Sequence, residues 1–436
     1  MITKPAIENI NDKERGFNEG NRCFLVEIRH TGETDTTAEA HLRELTGLVE
    51  SLELPVAGSC IAPLRTPYPS LLLGSGKSEE IIAEARELES DIIIIDDDLS
   101  PGQQRNWERI SECVVIDRQE VILEIFADRA STREASLQVA LARMEYSLPR
   151  LTRAWTHLSR QRGGAKGNRG EGETQLEVDR RIVLSRIAKL KAELEQVRKQ
   201  RATGRKQRVS IPLPTVALVG YTNAGKSSIL NALAGSAIYA EDKLFATLDP
   251  TTRRLDLEGG RTVLMTDTVG FIRKLPHKLV DAFRATLEET VLADLLVHVV
   301  DASDPEALEQ YRTTREVLEE IGASDTAQIL VLNKSDLGYD EVLLHQLLAR
   351  HPDAIYISAK TGRGLDLLKE AVSREIEIHF RRRSYLIPSS RYDLVALLHR
   401  EARVLKEDAD DSGFRVEAMT GEKIDSILGE YRTEEV

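Results

Sequence analysis

The sequence predicts an α/β protein of several domains, and three observations carry that expectation. Short apolar runs alternate with amphipathic helical segments over residues 22–126 and again over 215–380. A G-x-x-x-x-G-K-S run stands where an apolar strand turns into a helix. Two helices with a/d apolar seams lie between the alternating regions.

The first region contains RCFLVEI, PVAGSCI, SLLLG, DIIIID and CVVID, separated by TAEAHLRELTGLVESL and SEEIIAEARELE. Unbroken apolar runs between helices predict strands buried on both faces of a parallel sheet. The stretch LLLGSGKSEEI has the strand-turn-helix layout of an anion site but lacks G-x-x-x-x-G-K-[ST] spacing, so a structural turn is expected there. Next, Leu137, Leu141, Met144, Leu148, Leu151, Trp155 and Leu158 form one seam. Leu176, Val183, Ile187, Leu190, Leu194 and Val197 form another, which predicts an antiparallel coiled-coil hairpin kinked at Pro149. Its tip, GGAKGNRGEGETQLEVDRR, is glycine-rich and basic. The run TGRKQRVSIPLP reads as a linker, and Arg381–Arg383 followed by YLIPSS as a second one. Beyond it a helix over 392–405, a strand over 413–418 and a helix over 422–431 are expected.

The organisation read from these signals is a tail (1–21), an N-terminal α/β domain (22–128), a helical hairpin (129–203), a linker (204–213), a P-loop domain (214–380) and a small C-terminal α/β domain (381–436).

Composition narrows the function classes. The net charge of −13 argues against a chain that coats nucleic acid with its whole surface. Residues 150–208 nonetheless hold 17 Lys/Arg against 6 Asp/Glu, leaving −24 for the remainder. A basic block in an acidic protein is a candidate polyanion contact, with a solvated Arg-rich hairpin as the plainer alternative. Cys23, Cys60 and Cys113 are scattered without metal-like spacing and read as reduced core thiols. No apolar run reaches the ~20 residues of a membrane span, and MITKPAIENINDKERG lacks the apolar core of a signal peptide. A cytoplasmic protein, monomeric when free, is the expectation.

The P-loop domain carries the chemistry. Gly220, Tyr221, Thr222, Asn223, Ala224, Gly225, Lys226 and Ser227, with Ser228 following, form the loop expected to wrap phosphates in backbone N–H groups. Lys226 would neutralise the β- and γ-phosphates, and the Ser227 hydroxyl would ligate Mg²⁺. Asp267, Thr268, Val269 and Gly270 end the strand VLMTD, with Asp267 placed to hold a Mg²⁺-bound water and the Gly270 amide to sense the γ-phosphate. Between these boxes, LFATLDPTTR supplies Phe245, Ala246, Thr247, Leu248 and Asp249 as a first switch loop. Thr247 is the best candidate to complete the metal shell, with Thr251 and Thr252 as rivals. Asn333, Lys334, Ser335 and Asp336 follow the strand QILVL, and Asp336 can accept from guanine N1–H and the 2-amino group, which adenine does not offer. Ser358, Ala359 and Lys360 end the strand AIYI and place backbone donors near guanine O6. Boxes in this order and context predict a Ras-like P-loop GTPase domain with Lys226, Thr247 and Gly270 catalytic, GTP as substrate and Mg²⁺ as cofactor. Phe271 stands where many small GTPases carry the glutamine that orients water, so slow unaided turnover is expected.

The runs VGYTNAGKS, LFATLDPTTRRL, TDTVGFIRKLPHKLVDAFRATLEET and HVVDASDP resemble the HflX family of ribosome-associated GTPases, of the TRAFAC class and Obg-HflX-like group. LSPGQQRN, VVIDR and GETQLEVDRR extend the resemblance over about 22–380. Two departures are visible: GGAKGNRGEGE replaces a GGIGTRGPGE-like sequence, and the P-loop ends GKSS rather than GKST. The resemblance implies a factor that binds the large ribosomal subunit and dissociates stalled or idle ribosomes under stress. It implies ribosomal RNA as the polyanion met by Arg160, Arg162, Lys166, Arg169, Arg180 and Arg181 around the hairpin tip. The alternatives are a GTPase of ribosome assembly or RNA maturation, and a nucleotide-gated ribosome-binding scaffold.

Overall fold

The computed structural model describes residues 20–151, 169–208, 213–235, 244–257, 261–274, 287, 289–338, 341–410 and 413–433. Two compact units divide the chain, one containing the N-terminal sheet and the other the two later sheets. No helix among the described residues is long and apolar enough to cross a membrane.

The first sheet has four parallel strands in the order β2-β1-β3-β4, with β1 at Cys23–His30, β2 at Val56–Leu64, β3 at Ile92–Ile95 and β4 at Val114–Asp117. The four isoleucines of β3 are all buried, as a strand covered on both faces requires. Helices α1 (Asp35–Ser51), α2 (Ser75–Glu87), α3 (Pro101–Ser111) and α4 (Arg118–Arg129) connect or follow the strands. The start of α3 is fixed by a capping box between Ser100 and Gln103, with Pro101 at the first helical position, where its missing N–H costs nothing. The apolar run SLLLG is not a strand. Leu72 makes one bridge to Tyr68 at φ +67°, and Leu72 and Leu73 fill the sheet's core from a loop.

Helix α5 (Arg133–Ser147) passes into a 3-10 turn, Leu148–Arg150, that contains Pro149, and the expected course of the first hairpin helix beyond residue 151 lies outside the described residues. Arg150 anchors this exit: its guanidinium donates to the Leu99 carbonyl, to Gln104 and to Asp117, and lies 3.7 Å from the Tyr146 ring centroid. Helix α6 runs over Arg169–Arg208, taking in Gly170 and Gly172 of the expected loop and passing Gly204, where a linker is expected. On its seam Ile187, Leu190 and Leu194 are buried, and Val183 and Val197 are half-buried. Trp155, Leu158, Arg160, Arg162, Gly163 and Lys166 lie outside the described residues.

The second sheet has six strands in the order β10-β9-β8-β5-β7-β6. These are β5 (Thr215–Gly220), β6 (Thr251–Leu257), β7 (Arg261–Asp267), β8 (Leu295–Asp301), β9 (Gln328–Asn333) and β10 (Ile355–Tyr356), all parallel except β6, which pairs antiparallel with β7. Helices α7 (Lys226–Ala234), α8 (Ala307–Glu320), α9 (Glu341–Arg350) and α10 (Leu365–His379) accompany it. Val216, Leu218, Ile229, Leu230, Val297 and Val331 belong to the core beneath the P-loop.

The third sheet is built from β11 (Phe380–Ile387), α11 (Tyr392–Glu401), β12 (Arg403–Asp410), β13 (Gly413–Gly421), α12 (Glu422–Ile427) and β14 (Arg432–Thr433). Its antiparallel order β12-β13-β11-β14 is the split βαβ arrangement of ferredoxin-like domains. Two expectations are corrected here. The cationic triplet and YLI form a central strand, not a linker, and the helix expected over 392–405 ends at Glu401, with a further strand over Arg403–Asp410.

Candidate nucleotide site

The loop between β5 and α7 is shaped by glycine and a buried lysine. Gly225 sits at φ +91°, and a Cβ there would lie 2.2 Å from Nδ2 of Asn333. Both facts exclude a side chain, so backbone amides can line the loop. Lys226 is 6% exposed, and its ammonium donates to the carbonyls of Gly220 (3.1 Å) and Tyr221 (2.8 Å). Burial pushes its pKa down to about 8, partly offset by the Asp267 carboxylate.

At the start of α7 the Ser227 hydroxyl donates to Oδ2 of Asp267 at 2.6 Å, and the Thr247 hydroxyl donates to the same oxygen at 2.7 Å. The two hydroxyls are 2.9 Å apart. Oδ1 of Asp267 is buried and has no hydrogen-bond partner among the described residues. Burial raises the pKa of this carboxyl, opposed by Lys226 and by the hydrogen bonds it accepts. Three oxygen groups meeting at one point, with one carboxylate oxygen spare, suit a hard divalent cation. The rivals Thr251 and Thr252 begin β6, where Thr251 stands opposite Asp267 in the strand register and the Thr252 hydroxyl pairs with that of Thr266.

The segment after Asp267 is tied to the P-loop. Thr268 donates to the Leu218 carbonyl, the Thr222 N–H to the Phe271 carbonyl (2.7 Å), and the Phe271 N–H to the Gly220 carbonyl (3.1 Å). Phe271 and Val269 are buried, and the Tyr221 hydroxyl accepts from the Arg273 N–H. A Cβ on Gly270 would lie 2.7 Å from Cα of Thr222 and 3.0 Å from Nζ of Lys226.

The opposite end of the site gathers Asn333, Lys334, Asp336 and Ser358. Buried Asn333 donates to the Ala224 carbonyl and accepts from the Ala359 N–H, joining three loops. Lys334, at φ +60°, pairs with Asp301 at 2.8 Å. Asp336 is exposed, and a hydrogen bond from Ser358 holds its carboxyl below the usual range. Asp301 has no assigned role in the sequence reading of HVVDASDP, yet it also accepts from the Ser303 N–H and hydroxyl. Only the contact with Lys334, 33 residues away, distinguishes it from an ordinary turn aspartate.

Not every expected residue joins this cluster. Phe245, at φ +56°, is 2% exposed, with its ring edge-on to Phe126 at 4.6 Å between centroids. Leu248 is buried, Asp249 half-buried and Ala246 exposed. Arg180 and Arg181 are exposed on α6, and Arg169 begins that helix.

Residues 39–127 match a family model described as "GTP-binding GTPase N-terminal", 129–208 one described as "GTP-binding GTPase Middle Region", and 215–334 one described as "50S ribosome-binding GTPase". A GTPase HflX of Akkermansia muciniphila is 48% identical over 409 residues, covering 91% of this chain and 94% of that protein. The GTPase HflX of Escherichia coli is 41% identical, covering 91% and 92% respectively. A GTP-binding protein from Sulfolobus solfataricus in complex with GDP is 27% identical, with a TM-score of 0.42 over 81% of this chain and 98% of that one. On its sequence relatives and its P-loop domain, the chain is a GTP hydrolase that belongs to the HflX family of GTPases.

Proposed function

We propose that this protein binds the large ribosomal subunit in its GTP-bound state, dissociates stalled or idle ribosomes, and is released when GTP is hydrolysed. The observation that carries the nucleotide half is the convergence of Ser227, Thr247 and Asp267 beside the buried Lys226. In this reading Ser227 and Thr247 hold Mg²⁺ directly and Asp267 holds it through water. The ion's role is to neutralise charge developing on the phosphates. Lys226 turns from the loop carbonyls to the β- and γ-phosphates, and the Gly270 amide meets the terminal phosphate. Asp336 accepts from the guanine edge while Asn333 braces its loop and Asp301 steadies the Lys334 stem.

Support for the ribosomal half is the description of the model matched by 215–334 as a 50S ribosome-binding GTPase, together with the exposed Arg180 and Arg181 on a long basic helix. Cations displayed this way suit folded RNA, whose backbone and shape are what proteins meet first. Sedimentation of 70S ribosomes tests the proposal. With GTP or a non-hydrolysable analogue the 70S peak should give way to separate subunits, whereas GDP should leave it intact. A 70S peak unchanged in every nucleotide state would refute the dissociation reading.

A further inference from the structure

Hydrolysis of GTP needs a group that aligns water with the γ-phosphorus. Phe271, in the position where a glutamine commonly does this, has no polar side-chain atom and is fully buried with its backbone held by the P-loop. Two buried side-chain atoms of the phosphate end of the site lack a hydrogen-bond partner among the described residues: Oδ1 of Asp267 and Oγ1 of Thr222. The first is accounted for by the cation site described above. The second is not. Buried hydroxyls are nearly always paired, so an orphan inside a phosphate-binding loop points to a ligand.

Position strengthens the case. Thr222 is 5% exposed and stands two residues into the loop. Its Cα and Cγ2 lie 2.7 and 2.9 Å from the place a Gly270 Cβ would occupy, and Nζ of Lys226 lies 3.0 Å from the same place. Thr222 and the lysine that neutralises the terminal phosphate thus both lie against the glycine that senses it. Its N–H is already spent on the Phe271 carbonyl, which leaves the hydroxyl as its free polar group. One staggered step about χ1 brings Oγ1 to the position of Cγ2, on the Gly270 side.

We infer that the Thr222 hydroxyl contacts the reacting groups directly, bridging the attacking water and a γ-phosphate oxygen, and is a catalytic residue of this GTPase. In the step, the water oxygen forms a bond to the γ-phosphorus as the bond to the β–γ bridging oxygen breaks. The electron pair of the broken bond leaves with GDP. Oγ1 accepts a hydrogen bond from the water while donating its own hydrogen to a γ-phosphate oxygen, so the hydroxyl stays neutral. The water's proton leaves on inorganic phosphate.

The test compares full-length parent, Thr222→Val and Thr222→Ser in single-turnover GTP hydrolysis, alongside GDP affinity from fluorescence titration. Valine keeps the shape and removes the hydroxyl; serine keeps the hydroxyl. Thr222→Val should lose at least about tenfold in rate with GDP affinity within about threefold of the parent, and Thr222→Ser should stay within about threefold in both. The inference is overturned by a Val variant as fast as the parent, by a Ser variant as slow as Val, or by GDP affinity falling in step with the rate.

Discussion

A lysine surrounded by protein, with carbonyls in place of water, holds its proton weakly. Lys226 meets the carbonyls of Gly220 and Tyr221, and burial takes its pKa from the ordinary 10.5 to about 8. Because the folded value lies below the unfolded one, burying this charge lowers stability in full below about pH 8. The penalty fades as pH rises from about 8 towards 10.5. Phosphate at the site restores an anionic partner and favours the charged form again. GDP binding should therefore take up close to one proton near pH 9 and almost none near pH 7. Calorimetric titration in two buffers of different ionisation enthalpy reads this difference, and equal uptake at both pH values would contradict the assignment. At this scale the sequence was informative wherever a motif fixes role by spacing, as for Lys226, Ser227 and Asp267. It left Thr247, Thr251 and Thr252 as rivals, because a meeting between residues 20 apart depends on how the loop folds back onto α7. The P-loop spacing placed Thr222 among the phosphate-binding residues but gave its hydroxyl no role, and it gave none to Asp301. An orphaned hydroxyl and a cross-loop ion pair exist only in three dimensions.

Elements were legible where burial is simple. The runs that became β1, β3 and β4 are continuous and apolar because helices cover both faces of their sheet. SLLLG carries the same composition, yet serves the core from a loop. In β11 the period-two signal is masked by arginine. Arg383 shares its inward face with Tyr385 and Ile387, and Asp425 stands 3.5 Å from its guanidinium. A cation at an inward position reads as a linker until its partner is seen. The opposite case is Arg118 at the start of α4, buried and paired with Asp96 (2.7 Å) and Glu44 (2.5 Å). Removing its charge takes a guanidinium partner away from the fully buried Asp96 carboxylate. Arg118→Met should cost about 3–5 kcal/mol of N-terminal domain stability, and pairing it with Asp96→Leu should recover part of that loss. Urea unfolding followed at Trp107, which is buried in the same core, measures both. A single variant as stable as the parent would show that the ion pair does not matter.

Across the whole molecule, charge and chemistry are segregated. Residues 150–208 are strongly basic while the rest of the chain is acidic, so positive charge is concentrated in one stretch of the sequence. The nucleotide site has a buried lysine beside the converging oxygens of Ser227, Thr247 and Asp267, but a phenylalanine follows Gly270 where a water-orienting glutamine would stand. Without a water-orienting glutamine, such a site is expected to turn over slowly until a partner completes it. The account's central claim is that the large ribosomal subunit is that partner. The most direct test is the GTP hydrolysis rate of the purified chain with and without large subunits. The account predicts slow turnover alone and acceleration of more than about tenfold, or ~1.4 kcal/mol of barrier, when subunits are added. Rapid hydrolysis by the chain alone, or a rate indifferent to large subunits, would contradict it.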